Sequence, residues 1–286
     1  MISCGGTVGS GAGREREVSA TARLPGTVLV ADDPVRVAAA AADWVIEIAA
    51  EAAARQAGDP SRSALIGDGR FRKAVAGDGR FRIALAGGST PRGLYQALAA
   101  EPRRERVDWT RWEVFFGDER ACPPDDPSSN YRMAREALLD LVPVAPERIH
   151  RIEAERPDLA AAAAAYSALL EETCPRVANG PAPRLDCILL GLGENGHTAS
   201  LFPGDPALDV HVRWAVRSRA DYAPYDRITL TFPVLNAAAH VAFLVTGGSK
   251  GDALRGVTQG AVPAAGVRPT AGELRWFLDA AAADSL

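Results

Sequence analysis

The chain has 286 residues, a hydrophobic content of 47% and a formal net charge of −4 at neutral pH. That length and apolar fraction can build one large α/β domain or two small ones. The acidic balance offers no basic face for a nucleic-acid backbone, and no run approaches the roughly 20 apolar residues of a bilayer span, so neither nucleic acid nor membrane is an expected partner and an anionic ligand must be small and locally held.

Residues 1–24 are rich in Gly, Ser and charge, lack the apolar stretch of a secretory signal and read as a disordered tail ahead of a single α/β domain over 25–286. Val28–Val30 reads as a first strand, followed after Pro34 by a long helix with Val37, Ala41, Val45, Ile48 and Ala52 at helical spacing. Gly67–Ala76 (GDGRFRKAVA) is echoed by Gly77–Ala86 (GDGRFRIALA), too short a repeat for a solenoid unit; the second copy continues as a strand over Phe81–Ala86 and the first reads as an extra loop. Glu113–Phe116 and Arg148–Ile152 read as strands, and Asn130–Leu141 and the alanine-rich Leu159–Cys174 as helices. The apolar run Leu185–Gly191 suits a parallel strand buried on both faces. Arg227–Phe232 and His240–Val245 read as further strands, Gly251–Thr258 and Gly272–Ala283 as helices. This alternation predicts an α/β fold, a Rossmann-like, mostly parallel sheet with helices on both faces, whose ligands gather beyond the carboxyl ends of the strands.

The loops at those ends carry the candidate chemistry. Gly87-Gly88-Ser89-Thr90 follows the first strong strand and opens a helix at Pro91-Arg92, so free N–H groups, two hydroxyls and the helix dipole converge as an anion cradle; the alternative is a plain turn with a Ser/Thr cap. The loop has neither the Walker lysine nor the spaced glycines of a dinucleotide fingerprint. Asp118-Glu119-Arg120 follows Phe116-Gly117 and joins two carboxylates to a planar guanidinium fork suited to phosphate; the alternative is a surface ion-pair cluster. His197 stands in Gly193-Glu194-Asn195-Gly196-His197-Thr198, accessible and held among glycines, with an ordinary pKa near neutrality that suits proton removal from water. Lys250 ends Thr246-Gly247-Gly248-Ser249 and can reach an anion as a point charge or lie along the surface. His150, His211 and His240 read as structural or surface residues. Cys4, Cys122, Cys174 and Cys187 show no metal-ligand or redox spacing, which fits reduced thiols in a cytoplasmic protein.

Taken together, LAGGSTPRGLYQAL (Leu85–Leu98), FFGDERACPPDDPSSNYRMAREALL (Phe115–Leu139), DCILLGLGENGHTASLFPG (Asp186–Gly204), RITLTFPVLNAA (Arg227–Ala238) and TGGSK (Thr246–Lys250) resemble the 6-phosphogluconolactonase family in order and spacing. The resemblance implies the modified Rossmann-like fold shared with glucosamine-6-phosphate deaminases and ribose-5-phosphate isomerases. It implies a small-molecule substrate, 6-phosphogluconolactone, opened by water without metal or organic cofactor, in a monomer or small homo-oligomer. In that reading His197 is the base, with Asn195, Glu194 and Asp118 around it. Gly87, Gly88, Ser89, Thr90, Arg120 and Lys250 hold the phosphate, with Arg92 a weaker candidate. Where the family usually has Asp-Gly-His, this chain has Asn195-Gly196-His197. Asparagine orients an imidazole but cannot neutralise its cation, and Glu194 is the expected source of the missing charge.

Overall fold

A computed structural model describes residues 24–54, 78–176, 180 and 182–286. The expected tail and the first copy of the echoed decapeptide lie outside these residues, as does Cys4; only Leu24 of the tail is described, and it is buried against the core.

Nine strands and seven α-helices are found among the described residues. Six strands form one parallel sheet in the order β1 (Thr27–Ala31), β9 (Glu273–Asp279), β8 (His240–Val245), β5 (Cys187–Leu190), β2 (Phe81–Leu85) and β3 (Trp112–Phe116). Every residue of β2, β3 and β5 is buried, which is why these strands are apolar rather than alternating, apart from Arg82 and Glu113, which pair with each other. α1 (Pro34–Ala54) begins at Asp33, whose carboxylate accepts from Arg36 N at 2.8 Å, and presents Val37, Ala41, Val45 and Ile48 to the core. It packs on β1, β9 and α2 (Ser89–Ala99).

At Gly117 the backbone leaves the large sheet. Its N–H donates to Leu85 O at 2.9 Å and its carbonyl accepts from Leu230 N at 2.8 Å. The chain thereby enters a second, antiparallel sheet ordered β4 (Asp118–Arg120), β7 (Asp226–Leu230), β6 (Ala215–Arg219), covered by α4 (Leu159–Thr173). The segment read as a charged loop is therefore a short strand. β6 escapes the sequence reading because only Ala215, Val216 and Ser218 are buried and arginines fill the outward positions.

Two other expectations are corrected. Arg148–Ile152 is not a strand. Pro146–Arg148 is a 3₁₀ turn, and Ile149 makes a single bridge to Val114 before Arg151 turns away to pair with Glu153 and Glu155. Gly272–Ala283 is not a helix. Glu273–Asp279 is β9, inserted between β1 and β8 with Trp276, Phe277 and Leu278 fully buried, and only α7 (Ala280–Ala283) is helical. Burial between two parallel neighbours overrides the helix preference suggested by the terminal alanines. The helix expected over Asn130–Leu141 is split into α3 (Asn130–Ala134) and a π turn over Arg135–Leu139. α5 (Phe232–Ala237) and α6 (Gly251–Gln259) complete the set.

Candidate active site

Four loops leave the carboxyl ends of β2, β3, β5 and β8 and line one cavity of about 230 Å³. The loop after β2 reaches α2 through Gly88, whose φ of +102° is open to glycine. No side chain caps α2, so the Ser/Thr-cap alternative fails and the first-turn N–H groups remain available at the cavity. Thr90 Oγ1 instead meets Thr246 Oγ1 at 2.8 Å, tying this loop to the one after β8. Gly87 lies so close to Asn130 that a methyl group would fall 1.9 Å from Oδ1.

Asp118 is buried. Its Oδ2 accepts from Ser200 Oγ at 2.6 Å and its Oδ1 from Asn130 Nδ2 at 3.2 Å. Glu119 points the other way and binds the start of α3: Asn130 N and Tyr131 N donate at 2.8 Å each, Ser129 Oγ at 3.0 Å. Burial pushes its pKa up against the pull of the backbone donors. Of the two carboxylates in this segment, Asp118 faces the cavity and Glu119 is an anchor. Arg120 donates through Nη1 to Ser128 O, while its buried Nε has no acceptor.

His197 ends the loop after β5. Gly196 takes φ +78° with Val262 packed against it, and Gly196 O accepts from Ala264 N at 3.0 Å. Asn195 Oδ1 receives the backbone N–H of His197 at 3.1 Å and lies 2.6 Å from His197 Nδ1. The backbone group is a donor, so the asparagine atom facing it is the carbonyl oxygen. An acceptor at 2.6 Å from Nδ1 requires the proton on Nδ1, leaving the lone pair on Nε2. Phe202 packs on the imidazole with ring centroids 4.4 Å apart. Burial holds the His197 pKa below the ordinary imidazole range; Lys250 and Arg227 act in the same direction, and Asp118 and Asp221 oppose them. Next to this loop Ala199, with φ +47°, is the one non-glycine in left-handed conformation among the described residues, and it lines the cavity.

The structure thus brings together Gly87, Gly88, Ser89, Thr90, Asp118, Arg120, His197 and Lys250. Asn195 stands behind the imidazole. Two candidates lie elsewhere. Arg92 is exposed and turned to Glu136 at 3.9 Å, because its place in the first turn of α2 directs it along the helix flank rather than into the cradle. Glu194 is exposed and makes no hydrogen bond to His197 among the described residues; Asp118 is the carboxylate that acts most on the ring.

Sequence reasoning missed Arg227, Tyr222 and Ser200, which also line the cavity. Arg227 is 1% exposed and pairs in register with Arg120 across β4 and β7. Like charges directly opposite in a sheet repel. Neither arginine, nor Lys250, is ion-paired with a carboxylate among the described residues; Asp226 pairs with Arg217 and Arg219 instead. Three unpaired cations and an open helix N-terminus around one cavity suit a dianion. No cluster of metal-ligating side chains, and no helix long and apolar enough to cross a membrane, occurs among the described residues.

Comparison with known proteins identifies the family and the fold. The family described as glucosamine-6-phosphate isomerases/6-phosphogluconolactonase matches residues 32–276. A 6-phosphogluconolactonase of Nostoc sp. is 43% identical over 204 residues, covering 70% of this chain and 82% of that protein. One of Streptomyces coelicolor is 39% identical over 208 residues, covering 70% and 79%. Among solved structures, the 6-phosphogluconolactonase of Trypanosoma brucei superposes with a TM-score of 0.77 at 28% identity, over 92% of this chain and all of that one. A monomeric glucosamine-6-phosphate deaminase shares the fold at 20% identity, with a TM-score of 0.68 over 91% of this chain and all of that one.

Proposed function

Because the chain belongs to the glucosamine-6-phosphate isomerase/6-phosphogluconolactonase family, we propose that it hydrolyses 6-phospho-D-glucono-1,5-lactone to 6-phospho-D-gluconate, in the oxidative pentose phosphate pathway, with His197 as general base. The observation that carries this reading is the Asn195–His197 contact, since a neutral imidazole protonated on Nδ1 has its basic nitrogen, Nε2, free for a water molecule. Water gives a proton to Nε2 as its oxygen bonds to the lactone carbonyl carbon. The carbonyl oxygen becomes an oxyanion, steadied by backbone N–H groups and polar side chains of the cavity. The bond from that carbon to the ring oxygen then breaks, and the imidazolium returns its proton to the departing oxygen. The products are a carboxylic acid, ionised at neutral pH, and the free 5-hydroxyl.

The phosphate binds at the Gly87–Thr90 cradle, with Arg120, Arg227 and Lys250 supplying charge. Asp118 stabilises the imidazolium at long range, and Ser200 and Asn130 keep that carboxylate in place. The test is hydrolysis of freshly generated lactone by wild type and His197→Ala, with the spontaneous opening subtracted. Wild type is expected to exceed the spontaneous rate, and the variant to lose about 10²–10⁴-fold. A wild-type rate equal to the spontaneous one defeats the reading.

A further inference from the structure

Tyr222 stands on the connection between β6 and β7, is 46% exposed, and still lines the cavity. Its ring meets one guanidinium and two other rings. The Arg227 guanidinium carbon lies 5.4 Å from its centroid, the Phe202 ring approaches edge-on at 6.1 Å, and the His197 ring is 6.4 Å away. Arg227 needs such a neighbour. It emerges from β7 directly opposite Arg120, which repels it; its Nη1 donates to Asp226 O at a long 3.3 Å, and the Tyr222 hydroxyl acts on it as a further hydrogen-bond partner. A flexible guanidinium under repulsion swings away from its neighbour unless something holds it. An aromatic face can do so while leaving the N–H groups free to donate.

We infer that Tyr222 is a positioning residue: its ring holds the Arg227 guanidinium beside Arg120, so that the two arginines together receive the phosphate group, and it sets affinity for the phosphorylated ligand rather than the rate of the chemical step. The inference rests on the reading of the cavity as a sugar-phosphate site. It also separates the two sides of the Tyr222 ring, because contact with Phe202 and His197 would affect the base and contact with Arg227 the anion.

The test combines calorimetric titration with inorganic phosphate and with 6-phosphogluconate, steady-state lactone hydrolysis, and thermal unfolding as a check on folding, for wild type, Tyr222→Phe and Tyr222→Ala. Tyr222→Ala is expected to weaken both ligands by about three- to tenfold and raise KM by a similar factor, with kcat within about twofold of wild type. Tyr222→Phe keeps the aromatic face, loses only the hydrogen bond of the hydroxyl to Arg227, and is expected to retain most of the wild-type affinity. Unchanged affinities in Tyr222→Ala overturn the inference. So does a fall in kcat with affinities intact, which would assign the ring to His197, and so does a loss in Tyr222→Phe equal to that in Tyr222→Ala, which would assign the role to the hydroxyl. Should wild type bind phosphate without turning over the lactone, the hydrolase reading fails alone and the titrations still decide the role of Tyr222.

Discussion

Gly193 lies directly beneath the His197 imidazole: a methyl group on its Cα would fall 2.0 Å from Nδ1 and 2.1 Å from Cε1. The glycine is there because the ring occupies the space of its missing side chain. Gly193→Ala must therefore rotate the imidazole off Asn195. Displacement of a reacting group by an ångström can cost about 10²-fold in rate, and a loss of that order in kcat is expected with little change in the thermal midpoint. Steady-state kinetics alongside thermal unfolding checks it; a variant with wild-type kcat would show that the ring needs no such packing.

Asn195→Asp places a negative charge against Nδ1 in place of a neutral acceptor. The charge favours imidazolium and raises the His197 pKa, which burial otherwise holds down. The base works only when neutral, so the acid limb of the kcat/KM profile moves to higher pH. Asn195→Ala loses the orienting acceptor and lowers kcat instead. A pH profile of kcat/KM from pH 5 to 9 distinguishes the two effects, and an acid limb that stays fixed in Asn195→Asp counts against His197 as the titrating group.

Asp118→Asn keeps an acceptor for Ser200 Oγ but removes the carboxylate charge that raises the His197 pKa. The acid limb should move to lower pH and the plateau rate fall by about tenfold, as the imidazolium loses its stabilising charge. Glu194→Gln should alter neither, since Glu194 is exposed and makes no hydrogen bond to His197 among the described residues. A shifted profile in Glu194→Gln with none in Asp118→Asn would reverse these assignments.

Far from the cavity, Glu113 on β3 meets Arg80 at 3.3 Å, Arg82 at 3.7 Å and His150 at 3.0 Å, with its side chain 5% exposed. Burial alone would raise its pKa, but the His150 hydrogen bond and the two arginines outweigh that and hold it below the ordinary glutamate value. A carboxylate depressed in the folded state stabilises above its unfolded pKa, and that contribution is lost as pH falls through the folded value. Glu113→Gln should therefore cost about 1–2 kcal/mol at pH 7, because it removes one buried carboxylate while Asp78 remains as a counter-ion to Arg80 and Arg82. The gap to wild type should narrow as pH falls below the ordinary glutamate range. Chemical denaturation at pH 7 and pH 3 measures both, and a gap independent of pH would mean that the loss is one of packing.

What could be read from the sequence divides along physical lines. Phe81–Leu85, Cys187–Leu190 and His240–Val245 are short, largely apolar runs with glycine within two residues of their ends, so three central strands and the loops beyond them are visible without a structure. β9 is not, because four alanines follow Asp279 and lend a helical period to a segment whose state is decided by its neighbours in the sheet. His197 stands out by its glycines. Arg227 does not: its side chain reaches the cavity only because β7 pairs with β4 in a register that places it opposite Arg120, a relation between residues 107 positions apart in the sequence. Arg92 turns to Glu136 for the converse reason, since closeness in sequence to the Gly87–Thr90 loop does not decide which way a helical side chain points.

The order of the central strands has a consequence for how such a site changes over time. The anion cradle grows from β2, the lysine from β8 and the histidine from β5 between them, each as a separate loop on a shared rigid platform. In the proposed function, replacing the loop after β5 would exchange the reacting group while the Gly87–Thr90 loop and Lys250 beyond the flanking strands, and Arg120 and Arg227 on β4 and β7, stay in place. A change of reaction type would then be open to edits of one short segment that leave sugar-phosphate recognition untouched.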